Sequence, residues 1–492
     1  MAIIQAPTRF SRLGIWLGFP SQIPSLINEG IGRYVFHLAK VLIKSHSVCC
    51  EIWCYQVNVR VVRHLFQELL EQCPGKIRIC TELDTPRPAG PKRGAYDQIK
   101  NGGLTLMAVV LAAVRGGLFA LKNISQSFGN RRRPRTRGPE SVEIQAPARG
   151  PMAQFTSLVI SHLIDFWESL NRAANVLAAL ANARSEADVF LIPLVTIHSG
   201  LGLRKKLIAS LHDLFVLEYF NHFKEQSPAR VRQIRQVQLT GRNFVKKGAF
   251  FISNSDTIRK SHVLRFLSPP QERTGFVYLP VMVPEEIETK LEPEAYLREK
   301  FGISGPFLFY PTQIRVYKNL IVLLKALKML IDQDKTISLV LTGNMKGDNK
   351  SYYFYLENKL QNHVILIKKV TDYDLFGLYK YALATVVPTF SEGGFPFQGL
   401  EAMSMNTPAI MTDIPVVRER LLFHGLDPER SGLKLFAADD PRRLAHLIDE
   451  VMRDRGQAVR AQATVKEKLF SYTWDDVGRR YYDLLSRIET ET

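Results

Sequence analysis

Apolar residues in this chain gather in short unbroken runs, and between the runs they recur at every third or fourth position. From residue 13 the pattern reads strand, glycine loop, helix: "LGIWLGF" leads to "NEGIGRYVFHLAKVLI", where apolar positions from Tyr34 to Ile43 keep a helical spacing. Further runs stand at "VCCEIWCY", "ADVFLIPL", "KKLIASLHDLF" and "GAFFISNS", with helical stretches such as 228–247 between them. After "VYLPVMVP" (277–284) the alternation restarts with strands "PFLFYPT", "ISLVLTGN", "HVILIKK", "ATVVPTF" and "PAIMTD", separated by helical segments that begin with "KNLIVLLKALKMLIDQ".

Strands alternating with helices predict an α/β architecture with parallel, doubly wound sheets. The restart predicts two Rossmann-like domains, residues 1–285 and 286–470, with a hinge near 285–300. Residues 471–492 form a last helix expected to pack back on the first domain. At 492 residues and 46% hydrophobic, the chain is long and apolar enough for about two to three ordinary domains.

Residues 85–155 break the alternation. They carry twelve basic residues against three acidic ones, half of the chain's formal charge of +18. Inside them "LTLMAVVLAAVRGGLFAL" (104–121) is apolar but interrupted by Arg115, Gly116 and Gly117, and "RRRPRTR" (131–137) follows. Such a run suits insertion at a membrane interface better than spanning, and the arginines would be drawn to anionic lipid. An anionic membrane surface is therefore an expected partner; the plainer alternative is a disordered, solvated insertion. Nucleic acid is not expected, because the basic residues are not interleaved with the aromatics that base stacking needs.

The five cysteines all fall within the first hundred residues and show no zinc-site spacing, which fits thiols of a reducing compartment. The N-terminus lacks the apolar core and cleavage site of a secretory signal, so the expected location is cytoplasmic, peripheral on the inner face of the membrane.

The chemistry concentrates in "PTFSEGGFPFQGLEAMSMNTP" (388–408), where Glu392 and Glu401 are the sole charges. "ATVVPTF" is a strand, Pro396 suits a first helical turn, Asn406 a left-handed helix end, and Pro408 stops the helix. A glycine loop and helix start at the carboxyl edge of a parallel sheet offer free amides to phosphate oxygens. A carboxylate about a turn further in, Glu401, has two acceptor oxygens for a ribose diol. The plain structural alternative makes Glu392 a solvated loop acid and Glu401 an acid favoured by the helix dipole.

"SEGGFPFQGLEAMSMNTPAI" resembles the glutamate-spaced signature of retaining, GT-B-fold glycosyltransferases of family 4. "NEGIGRYVFHLAKVL", "LIASLHDLF", "GAFFISNSDTIRK", "FLFYPTQIRVYKNL" and "FSYTWDDV" resemble other parts of that family in the expected order, so the likeness covers most of the chain outside 85–155. Two departures stand out. Glu392 and Glu401 enclose eight residues where the family usually has seven, and Gln313 stands where the family often has arginine, with Arg315 two residues on.

The resemblance implies a metal-independent hexosyltransferase that moves a mannose- or glucose-type sugar from a nucleotide diphosphate sugar to a saccharide or lipid-linked acceptor, in polysaccharide or glycolipid biosynthesis. It implies no cofactor beyond that donor, and a leaving phosphate that itself takes the acceptor's proton. Carried over position by position, it makes Glu392, Lys318 and His212 catalytic. It places Glu401, Arg315, Gly393, Gly394, Phe395 and Gly343 around the donor, and Gly30, Gly32 and Arg33 in an acceptor or phosphate loop. Each has a plainer counterpart: Gly30 and Gly32 as a tight turn, Arg33 as a surface residue, His212 as a satisfied core histidine. Asp213 is expected to cap its local turn, and in "TDYDL" Asp372 is expected to be a helix N-cap, not a metal ligand. Two other functions compete: a glycosidase using Glu392 and Glu401 as its acid/base pair, and a catalytically weak GT-B-like membrane-binding or scaffold protein.

Overall fold

The computed structural model describes residues 10–19, 30–83, 176–219, 228–283, 287, 290–368 and 370–490. The basic insertion expected at 85–155 lies outside them. The larger of the chain's two units comprises Met1–Leu83 and Arg172–Thr492.

That larger unit contains two parallel sheets. The first has seven strands in the order β3-β2-β1-β4-β5-β6-β7, built from β1 (Arg12–Leu17), β2 (Cys49–Cys54), β3 (Ile77–Cys80), β4 (Val189–Ile192), β5 (Lys206–Ser210), β6 (Phe250–Ser253) and β7 (Thr274–Phe276). The second has six in the order β10-β9-β8-β11-β12-β13, from β8 (Phe307–Tyr310), β9 (Ser338–Thr342), β10 (Val364–Ile367), β11 (Ala384–Val387), β12 (Ala409–Thr412) and β13 (Lys434–Phe436). β4, β6, β8, β11 and β12 are buried along their whole length, which is why they read as unbroken apolar runs and not as alternating ones.

Strand order reverses between β1 and β4 in one sheet and between β8 and β11 in the other. At such a point the loops leaving the two carboxyl ends diverge and open a crevice, the usual ligand site of an open α/β sheet. β1 leads to the helix Gly30–His46, β8 to Lys318, and β11 to Glu392. The position of both charges is thus a consequence of topology.

The strands β3, β7 and β13 have no counterpart in the apolar-run pattern. β7 and β13 are three residues long, and β3 alternates apolar with polar residues at a sheet edge. After β6, the chain passes from a single turn at Asp256–Ile258 into a π-helical segment, Arg259–Leu267, which helical spacing alone does not announce. The cap of the helix Asp372–Tyr381 is Thr371, not Asp372. The Thr371 hydroxyl accepts the Asp374 N–H at 3.1 Å while the Asp374 carboxylate accepts the Thr371 N–H at 3.0 Å. This reciprocal pair satisfies two donors, which leaves Asp372 free to face elsewhere. Asp213, by contrast, takes its expected role, accepting the Phe215 N–H at 3.3 Å.

The closing helix, Trp474–Thr490, lies against Gly30–His46, where the Tyr34 and Tyr481 hydroxyls meet at 2.5 Å. None of the five cysteines, all of them among the described residues, is in a disulfide, and Cys50 and Cys54 are buried. No helix among the described residues is long and apolar enough to cross a membrane.

Candidate functional site

The loop after β8 delivers Lys318 through a tight turn, Val316–Lys318, closed by Asn319 in a left-handed conformation at φ 52°. The Asn319 amide donates to the Pro388 carbonyl at 2.9 Å and to the Ala438 carbonyl at 2.7 Å. The Phe390 N–H adds a bond to the Tyr317 carbonyl at 2.9 Å. These ties lock the loops after β8 and β11 together, and their charged tips meet: Lys318 Nζ lies 2.5 Å from Glu392 Oε1. Both side chains are mostly buried, at 13% and 16% exposure, so the pair is poorly screened by water.

The opposite wall comes from the first sheet. His212 follows β5, and its Nε2–H donates to the Pro193 carbonyl at 3.1 Å, which leaves Nδ1 to accept the Asn254 side-chain N–H at 2.8 Å. Burial pulls the His212 pKa below its ordinary value, so the ring is neutral in this arrangement. Gly393 fits directly against this residue. A Cβ there would run into the His212 carbonyl oxygen, backbone that has nowhere to go. Ser255 Oγ donates to the Gly393 carbonyl at 2.9 Å. Aromatic packing joins the same two walls, with the Phe215 ring 5.3 Å from that of Tyr317.

A cavity of about 330 Å³ lies between these loops, lined by Lys318, Glu392, Gly393, Gly394, Phe395, His212 and Gly30 among others. These seven positions anticipated from sequence meet at one place. Glu401, Arg33, Arg315, Gly32 and Gly343 do not line that cavity. Gly343 ends β9 with φ +89°, a conformation L side chains rarely adopt. Arg315 is engaged by the Tyr317 hydroxyl at 2.8 Å and by Gln313 Oε1 at 3.0 Å, so Gln313 orients the arginine instead of replacing one.

Glu401 and Arg33 form a second cluster. The Tyr379 hydroxyl donates to Glu401 Oε2 at 2.6 Å, Arg33 Nη1 stands 4.0 Å from Glu401 Oε1, and Arg33 Nη2 donates to Asp372 Oδ1 at 2.8 Å. Arg33, at 22% exposure, is thus a bridge from the first helix to the second sheet's layer and not a free surface residue. Burial raises the Glu401 pKa to about 7, against the opposing pull of Tyr379 and Arg33.

The sign of that shift fixes a pH effect. The folded carboxyl keeps its proton up to about 7, while the unfolded one loses it near 4.3. Stability from this group is therefore fully present below about pH 4.3 and is lost as pH rises to about 7, on the order of 3 kcal/mol. Relative to Glu401→Gln, the wild-type protein should gain melting temperature as pH falls through that window. Parallel melting curves across it would contradict the shift.

Asn254, Ser255, Asn319 and Tyr379 support the site and were not singled out from sequence. "ISNS" and "YKN" lie inside quoted motifs, but nothing in a linear pattern shows which carbonyl an amide will reach.

Residues 297–468 match the family model described as glycosyl transferases group 1. The O-antigen chain mannosyltransferase RfbU of Salmonella typhimurium is 25% identical over 240 residues, which are 48% of this chain and 61% of that protein. The match thus spans less than two thirds of that relative. Among solved structures, Anabaena HepE in complex with UDP aligns with a TM-score of 0.57 at 13% identity, covering 97% of this chain and all of that one. Sucrose-phosphate synthase from Thermosynechococcus elongatus aligns at 0.54 and 12%, covering 98% of this chain and all of that one. The second sheet and its helices form a glycosyltransferase group 1 domain, and the two Rossmann-like sheets together have the GT-B fold.

Proposed function

We propose that this protein is a retaining, metal-independent glycosyltransferase that moves a mannose- or glucose-type hexose from a nucleotide diphosphate sugar to a saccharide or lipid-linked acceptor. The observation that carries it is the placement of Lys318 and Glu392, 2.5 Å apart, on the loops of the two strands that flank the switch point of the second sheet. The matches to a mannosyltransferase and to a structure solved with UDP-glucose support a nucleotide-sugar donor.

In this reaction the bond between the anomeric carbon and the diphosphate oxygen breaks, and a bond to the acceptor hydroxyl oxygen forms on the same face. Negative charge develops on the departing phosphate. Lys318 supplies a preorganised cation there, and the amides near Gly393 and Gly394 supply fixed dipoles, in a site where water does little to weaken either. Glu392 accepts from sugar hydroxyls, Glu401 from the ribose diol, and the acceptor proton passes to the leaving phosphate. Neutral His212 packs at the donor-sugar end and carries no charge into the reaction.

Calorimetry with UDP, GDP and their glucose and mannose conjugates, each with and without EDTA, tests the proposal. Binding unaffected by EDTA is expected, because lysine and backbone amides occupy the role a divalent ion would fill. Loss of binding on chelation would overturn metal independence, and no binding of any nucleotide would overturn the donor class. The anomeric coupling constant of the product reads retention directly.

A further inference from the structure

Arg420 lines the same cavity and has no part in the site described so far. It sits on the helix Pro415–Phe423, is 2% exposed, and its Nη1 is fully buried without a hydrogen-bond partner. A buried cationic N–H with no acceptor is expensive and uncommon. Its setting holds it in place without satisfying it. The guanidinium carbon lies 4.6 Å from the ring centre of Tyr278, 4.5 Å from that of Tyr472 and 5.6 Å from that of Phe423. Cation–π contact offsets part of the lost hydration but gives the N–H groups no acceptor.

The neighbouring acid is committed elsewhere. Glu419 Oε1 accepts from the Asp256 N–H and the Tyr278 hydroxyl, both at 2.7 Å. Oε2 accepts from the Thr257 N–H at 2.7 Å and its hydroxyl at 2.5 Å. Burial lowers the Arg420 pKa only to about 10, so it is a cation at neutral pH. The cavity is also bordered by Gly30 and Ile31, the first turn of a 17-residue helix, and a Cβ on Gly30 would meet nothing within 4 Å. Helix starts of this kind favour anions. Lys318, the other cation on the wall, is already paired with Glu392.

We propose that the Arg420 side of the cavity is an oxyanion subsite, which takes a phosphate or carboxylate group carried by the acceptor saccharide. The word acceptor rests on the glycosyltransferase function proposed above; the oxyanion subsite does not. The guanidinium fork matches the paired oxygens of either group, and the bound anion supplies the acceptor that the protein withholds from Arg420. Arg420 is then a specificity residue that selects charged acceptors and leaves the reacting atoms to Lys318 and its neighbours.

The intact protein carrying Lys318→Ala, which removes the other cavity cation, is titrated with inorganic phosphate and with glucuronate by calorimetry. Measurable binding of at least one is expected, and adding Arg420→Met or Arg420→Gln should weaken it by about tenfold or more. Two replacements are used so that one folded variant suffices. In the wild type, the guanidinium NMR signal that is absent from Arg420→Lys should move as the same anion is added. Preferred binding of phosphate or of glucuronate tells which group the subsite takes. Unchanged anion affinity in a folded Arg420 variant, an unmoved guanidinium signal, or no binding of either anion overturns the subsite. UDP and GDP titrated into the wild type report separately: nucleotide binding without Arg420-dependent anion binding sinks the subsite alone, and the reverse sinks the donor class while the subsite stands.

Discussion

Lys318→Ala should lower kcat/KM for sugar transfer by about one to two decades, the worth of one charge-assisted hydrogen bond felt in the transition state. The fold should survive, because Lys318 Nζ faces the cavity and its turn is held by Asn319 and Tyr310, whose hydroxyl donates to the Lys318 carbonyl at 3.1 Å. A purely structural ion pair makes a different prediction. If Lys318 only neutralised Glu392, then Lys318→Ala would cost no further rate in a Glu392→Gln background, since no carboxylate would be stranded. With Lys318 acting on the leaving phosphate, the double variant recovers stability and stays slower than Glu392→Gln alone. Lys318→Arg should not rescue fully either, since a planar fork does not replace a compact ammonium at a 2.5 Å contact. Transfer rates and melting temperatures of these variants and of Glu392→Gln separate the cases, and wild-type turnover in Lys318→Ala would remove the residue from the mechanism.

The parts of this molecule legible in its sequence are those whose physics is local. Apolar runs marked β1, β2, β4, β5 and β6 and five strands of the second sheet, and the runs are unbroken in β4 and β8 and nearly so in β11, where a strand covered on both faces is apolar nearly throughout. Asn406 was legible as a left-handed helix end and has φ 54°. Lys318, Glu392 and the glycine pair were legible because they sit where two strands of the sheet end, and topology then brings them together. What depends on a partner far along the chain was not. Arg33 looks like a surface residue until the helix Asp372–Tyr381, 339 residues later, presents Asp372 to it. The cap Thr371 outcompetes Asp372 only because Asp374 returns its hydrogen bond. Arg420 was invisible for the same reason: nothing in "VVRERLLF" tells that Tyr278 and Tyr472 will close over one arginine and leave its neighbour Arg418 paired on the surface.

Glu419→Ala should loosen the two halves of the larger unit against each other more than any other single carboxylate change. Glu419 belongs to the helix that follows β12 in the second sheet, and all its hydrogen-bond donors belong to the first: Asp256, Thr257 and Tyr278. It accepts the first two N–H groups of a turn in the other layer, so its removal orphans two backbone N–H groups, a threonine hydroxyl and a tyrosine hydroxyl together. Each buried orphan costs about 1–3 kcal/mol, less whatever water can enter to replace the carboxylate, so a net loss on the order of 3 kcal/mol is expected. Glu419→Gln should fall between, because an amide oxygen can serve one pair of donors while its NH₂ faces the other. A loss of this size in the closed arrangement lowers the population that brings His212 against Gly393, and with it kcat/KM, by roughly a hundredfold if opening is the response. Small-angle scattering should then show a larger radius of gyration for the alanine variant without nucleotide, shrinking when UDP or GDP is added in excess. If the radius, the melting temperature and kcat/KM all match wild type, Glu419 is not the clip, and the aromatic contact of Phe215 with Tyr317 carries the closure instead.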